Sequence, residues 1–210
     1  MRLYLASQGL PDDLRDTFLA LLGADRRLAY IENAKDPEPP EWRKNSDTRR
    51  QMAEAGIMLT DVDLRDFYDQ PEALCEKLKS YPGVWIAGGN TYYLRYAMQA
   101  SWFDRIIAGL VENGMLYGGA SAGAIVAGPT LRGYGSVDDP EAAPVLIENG
   151  LGLTRICILP HWESEYYGNQ LKETYDQLTN DGRTIVTLND NQALVINGKH
   201  IQKYGPDHRA

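Results

Sequence analysis

The segment Gly119-Ala120-Ser121-Ala122-Gly123 has the G-x-S-x-G spacing of a nucleophile elbow. In such an elbow, small residues permit a sharp strand-to-helix turn that lifts a serine hydroxyl clear of a sheet. The apolar Met115-Leu116-Tyr117 before it reads as a strand, and the small apolar run 122–127 after it reads as a helix. A helix start sets backbone N–H groups and a positive dipole end beside Ser121, where they would stabilise a developing oxyanion. The Ala122 amide is the natural donor, and the Gly88-Gly89 turn offers a second. Tight helix-on-strand packing or a phosphate-cradling turn would use similar residues. The segment lacks the lysine of a P-loop and the G-x-G-x-x-G spacing, which weakens the nucleotide alternatives.

A serine nucleophile needs a base, and the chain has three histidines, His161, His200 and His208. His208 lies near the C-terminus, where chains fray, and His200 sits in a terminal hairpin where an exposed strand histidine is the simpler reading. His161 directly follows the apolar run Ile156-Cys157-Ile158-Leu159, so it should emerge on the same sheet edge as Ser121. Asp190, which follows the strand read at 184–188, returns to that edge and suits the third role of orienting the imidazole. Glu163 and Glu165 are the alternatives, although close neighbours along a chain seldom face each other across a site. The order Ser121, His161, Asp190 differs from the serine, acid, histidine order of α/β-hydrolases.

These residues must be positioned by the elements that precede them. Strands are expected at 3–7, 28–31, 57–60, 83–87, 115–117, 156–159 and 184–188, and helices at 11–22, 42–55, 71–78, 91–99, 103–112 and 166–178. The run 57–60 reads as a buried strand. Short apolar strands alternating with helical patterns indicate an α/β fold with a mainly parallel sheet and helices on both faces. A β-hairpin with an Asn197-Gly198 turn should close the chain. Residues 128–149 carry Pro129, Gly133, Gly135, Pro140 and Pro144 without clear periodicity, and read as a long functional loop or lid.

Composition bounds the rest. The 210 residues are 43% hydrophobic, enough to bury one core, and 1–210 reads as a single domain. A formal net charge of -8 argues against an extended nucleic-acid surface. No run approaches the ~20 apolar residues that span a bilayer, and the first residues do not form a signal peptide. Cys75 and Cys157 form no CxxC spacing, which disfavours a metal or redox pair. A cytoplasmic protein with reduced thiols is expected.

Three segments together resemble the peptidase E family, the S51 group of serine peptidases that includes aspartyl dipeptidases and the more distant cyanophycinases. They are Trp85-Ile86-Ala87-Gly88-Gly89-Asn90-Thr91, Gly118-Gly119-Ala120-Ser121-Ala122-Gly123-Ala124 and Leu159-Pro160-His161. They occur in the family's order, and the likeness covers nearly the whole chain. The resemblance implies a glutamine-amidotransferase-like three-layer sandwich and hydrolysis of dipeptides or short peptides, without metal or cofactor. It implies Ser121 as nucleophile, His161 as base and Gly89 and Ala122 as oxyanion donors, with Gly88 and Asn90 at a substrate-facing turn. The third member is a glutamate in the family's best-known branch and stands near the position of Asp190. Selection of an N-terminal aspartate would need a cationic partner. Arg132 and Arg155 are on offer, yet Trp162-Glu163-Ser164-Glu165-Tyr166-Tyr167 is acidic and aromatic. The expected partner is a small peptide, with no nucleic acid or membrane, and the chain a monomer or homodimer. The competing readings are an amidase or esterase acting on a small non-peptide substrate, and a non-catalytic metabolite-binding domain.

Overall fold

The computed structural model describes residues 1–39 and 47–207. Seven strands form one sheet: β1 (Arg2–Ala6), β2 (Arg27–Ile31), β3 (Met58–Asp61), β4 (Gly83–Ile86), β5 (Leu116–Ala120), β8 (Ala193–Asn197) and β9 (His200–Tyr204). Their spatial order is β3-β2-β4-β5-β1-β8-β9. The first five are parallel, whereas β8 runs antiparallel to β1 and β9 antiparallel to β8. The remaining pair, β6 (Ile156–Leu159) and β7 (Thr184–Thr187), is parallel and forms a separate two-stranded sheet. His161 therefore approaches Ser121 from this second sheet and not along the edge of the first.

Alternation along the strands separates two apolar layers, as the period-2 pleat requires. Leu3, Leu5, Ile31, Val84, Ile86 and Tyr117 face one side. There they meet the helices α3 (Pro71–Lys79), α4 (Thr91–Ala100), α5 (Phe103–Glu112) and α6 (Ala122–Ile125), together with β6 and α7 (Asn169–Asn180). Tyr4, Tyr30, Trp85 and Leu116 face the other side with Phe18 of α1 (Arg15–Leu22) and Met52 of α2 (Asp47–Glu54). On that side the ring of Phe18 meets Tyr4 at 4.9 Å and Trp85 at 5.4 Å, both edge-on. The architecture is a three-layer α/β sandwich, with helices on both faces of the mainly parallel sheet as the alternating pattern implies.

Some elements depart from the sequence reading. Strand β3 lies at the sheet edge with Met58 60% exposed, because an apolar run alone does not tell an edge strand from a central one. Helix α7 begins at Asn169, after Gly168 at φ 46°, and not at 166. The hairpin loop is Gly198-Lys199, since Asn197 still pairs with His200. Of the helix expected at 42–55, residues 42–46 lie outside the described residues, and 47–54 are helical. Residues 128–149 contain two short 3-10 turns, Tyr134–Ser136 and Pro140–Ala142. Their ends are tied by a bridge between Thr130 and Asn149, and Tyr134 anchors the loop by donating to the Ile158 carbonyl at 2.7 Å.

Helix α6 can lie directly against β5 and β4 only because two residues lack side chains. A Cβ on Gly119 would stand 2.4 Å from the Gly123 carbonyl oxygen, and one on Gly123 would stand 2.3 Å from that of Ile86. Backbone sits on backbone here, so no side chain can move aside. Gly123→Ala is therefore expected to destabilise the fold by about 1–3 kcal/mol, read as a lowered urea midpoint; an unchanged midpoint would contradict this packing.

Candidate active site

The carboxyl ends of the strands converge, as expected of an open parallel sheet. Ser121 follows β5, Ser7 follows β1, the Gly88-Gly89-Asn90 turn follows β4, His161 follows β6, and Asp190 follows β7. Ser121 has φ 52° and ψ -116°, a conformation that non-glycine residues avoid and that nucleophile elbows impose. Its own amide donates to the Ala6 carbonyl at 3.1 Å, which fastens the turn to β1.

The Ser121 hydroxyl lies 2.9 Å from His161 Nε2, and His161 Nδ1 lies 2.7 Å from Asp190 Oδ1. A carboxylate only accepts, so Nδ1 carries the shared proton and Nε2 is left to accept from the serine. The His161 and Asp190 side chains are only 15% and 18% exposed. Such a chain of groups can take a proton from a hydroxyl and return it to a leaving group. Glu163 and Glu165 make no such contact with His161 among the described residues. His200 bonds Gln202 on the terminal hairpin, and His208 lies outside the described residues.

Gly88 directly adjoins the serine, since a Cβ there would stand 3.0 Å from Ser121 Cβ. Gly89 adopts φ 141°, and a Cβ would meet the Ala34 carbonyl oxygen at 2.4 Å, so this position excludes a side chain. Among the described residues, no intramolecular acceptor takes the amides of Gly89 or Ala122, whereas the flanking amides of Asn90 and Ser121 bond Ala34 and Ala6. The Asn90 side chain turns inward. It caps α4 by accepting from the Tyr93 amide at 2.8 Å, and it donates to the Asp139 carbonyl at 2.8 Å.

Three further residues belong to this constellation and carried no local signal in the sequence. Ser7, fully buried, accepts the His161 backbone N–H at 2.7 Å and donates to Asp190 Oδ1 at 3.3 Å. Tyr167 stacks on the imidazole of His161, with centroids 5.1 Å apart and planes at 19°. Asp138, from the loop 128–149, borders the space beside Ser121 and accepts from the Thr91 amide at 3.1 Å and from the Thr91 hydroxyl. Burial pushes its carboxyl above the usual carboxylate range, against the opposing pull of the Thr91 hydrogen bonds and of nearby His161. Only the strand-end rule could have found Ser7, which directly follows β1 just as Ser121 follows β5.

The family model for peptidase family S51 matches residues 4–204. The chain belongs to peptidase family S51. Among relatives, an uncharacterised peptidase of Pasteurella multocida, PM1590, is 22% identical over 201 residues, 94% of either chain. A protein of Streptomyces coelicolor named peptidase E is 30% identical over 155 residues, 74% of this chain and 59% of that one. A crystal structure from Listeria monocytogenes EGD-e, described as a candidate peptidase E, superposes with a TM-score of 0.84 at 20% identity, covering 98% of each chain. At that identity the superposition supports the fold alone. Together with the family match, it shows that this S51 chain carries the architecture of that neighbour.

In this S51 chain Ser7 ties His161 and Asp190 to β1 at once. Ser7→Ala leaves the His161 amide without its partner and removes one of the donors to Asp190, at an expected loss of about 1–3 kcal/mol. It should also weaken the low-field proton NMR resonance of the hydrogen bond between His161 and Asp190. An unchanged melting point together with an unchanged resonance would show that Ser7 holds neither group.

Proposed function

We propose that the protein is a serine peptidase that hydrolyses dipeptides or short peptides through an acyl-enzyme, with Ser121, His161 and Asp190 as its triad. The continuous hydrogen-bonded path from the Ser121 hydroxyl through His161 to Asp190 carries this reading. His161 Nε2 takes the hydroxyl proton as Ser121 Oγ attacks the scissile carbonyl. The amides of Gly89 and Ala122, which no other group among the described residues occupies, receive the oxyanion. The protonated His161 then gives its proton to the leaving nitrogen, and the C–N bond breaks. Water, deprotonated by His161 Nε2, attacks the ester carbonyl, and Ser121 Oγ departs as His161 gives it that proton. Asp190 holds the imidazole in the tautomer this cycle needs.

Two clefts meet at Ser121 and suit the two halves of a short peptide. The wider, about 610 Å³, is bordered by His161 and Asp190; it suits the leaving amine, which must reach His161 Nε2. The other, about 440 Å³, is bordered by the Gly88-Gly89-Asn90 turn and the loop 128–149; it suits the acyl residue. That loop, standing over the second cleft, favours small peptides over folded proteins. No helix among the described residues is long and apolar enough to cross a membrane. Cys75 and Cys157 are free thiols, in keeping with a cytoplasmic setting.

A panel of dipeptides tests the reading. Ser121→Ala and His161→Ala should each lower kcat/KM by about 10⁴-fold or more, and Asp190→Ala by about 10³–10⁴-fold. Hydrolysis that survives Ser121→Ala refutes the mechanism. A silent Asp190→Ala beside a crippled Glu163→Ala or Glu165→Ala would reassign the third member alone.

A further inference from the structure

The acyl-side cleft contains a carboxylate where an aspartate-selecting enzyme would need a cation. Arg132 lies outside it, 60% exposed and 3.5 Å from Glu148, beside a different cavity with Tyr92 and Gln177. Arg155 precedes β6 and so sits at the amino end of the strand whose carboxyl end leads to His161. Among the described residues, the cation that borders the cleft is Lys35, which lies 3.8 Å from Glu32. Against it stand Glu38, Asp138 and Asp139.

We propose that Asp138 sets the substrate class of this site: the acyl-side cleft takes an N-terminal residue that presents positive charge, and it turns away an N-terminal aspartate. This rests on the serine peptidase reading above. Among the described residues, Asp138 is the one carboxylate that borders both this cleft and the small hollow beside Ser121 and His161, which Ile125, Leu159 and Leu171 also line. Thr91 fixes its direction by donating twice to Oδ2, and the hydroxyl of that threonine belongs to the first turn of α4. Burial disfavours the ionised form of Asp138, so an arriving cation offsets that penalty. The adjoining rings of Tyr166 and Tyr167, edge-to-face at 4.9 Å, offer aromatic surface of the kind that also favours cations. A carboxylate side chain arriving in the same place meets like charge in a poorly solvated setting, without an arginine among the described residues that border the cleft.

The test compares Lys-Leu, Ala-Leu and Asp-Leu as substrates of the wild-type protein and of Asp138→Asn, with the exposed Glu173→Gln as control. The wild type should rank Lys-Leu above Ala-Leu above Asp-Leu in kcat/KM. Asp138→Asn should shrink the Lys-Leu to Asp-Leu ratio at least about 10-fold, mainly through the KM for Lys-Leu, and Glu173→Gln should leave it alone. Cleavage of Asp-Leu equal to or better than Lys-Leu by the wild type overturns the inference, and this holds even if Asp138→Asn does not fold. A ratio that Asp138→Asn leaves unmoved overturns it as well. Either failure, with cleavage still dependent on Ser121, leaves the peptidase reading standing; loss of all Ser121-dependent cleavage removes both.

Discussion

Holding a serine at φ 52° and ψ -116° is unfavourable by about 1–3 kcal/mol, so the surroundings must impose it. Three contacts do so. The Ser121 amide donates to Ala6 of the neighbouring strand, the Ser121 carbonyl accepts from the Ala124 and Ile125 amides, and the glycines on either side let α6 press onto the backbone of β4 and β5. The turn is thereby fixed by main chain alone, which leaves the hydroxyl free to face His161. Any shift of α6 away from the sheet would carry Ser121 out of reach of the imidazole.

The second sheet supplies the other two members of the proposed triad, and its attachment explains why a buried serine sits between the two. His161 leaves β6 at φ 58°, and Asp190 leaves β7; both are registered together because the Trp162 amide bonds the Leu188 carbonyl and the Leu188 amide bonds that of Leu159. That pair could still slide against the main sheet as a unit. Ser7, at the end of β1, bonds both His161 and Asp190 and so fixes the smaller sheet against the larger at the place where the alignment matters. The stacked Tyr167 covers the open face of the imidazole. The site is thus assembled from strand ends whose separate positions are each set by ladder hydrogen bonds.

What could be read from the residues divides along local and non-local lines. The elbow was legible because its glycines, its serine and the flanking apolar runs are contiguous, and the turn they form needs no distant partner. His161 and Asp190 were legible as residues just past apolar runs, since a strand's carboxyl end predicts which edge of a parallel array the next residue reaches. The separation of β6 and β7 into their own sheet was not, because the pairing partner of a strand is a tertiary fact. Nor was the exposure of β3, whose apolar residues resemble those of a buried strand. Asp138 lies in an irregular loop whose path depends on Tyr134 reaching the Ile158 carbonyl, and nothing in its neighbours announces where it will point. Arg132 and Arg155 illustrate the converse: each was a chemically sensible partner for an acidic substrate, and the structure places both away from the acyl-side cleft.

Every step of the proposed chemistry depends on activation of Ser121 by His161. That activation is tested most directly by exposing the protein to a serine-directed fluorophosphonate and locating the adduct by peptide mass mapping. A single adduct on Ser121 is expected, formed much more slowly in His161→Ala that retains the wild-type fold. An unmodified Ser121, or an adduct that forms equally fast without His161, would contradict it.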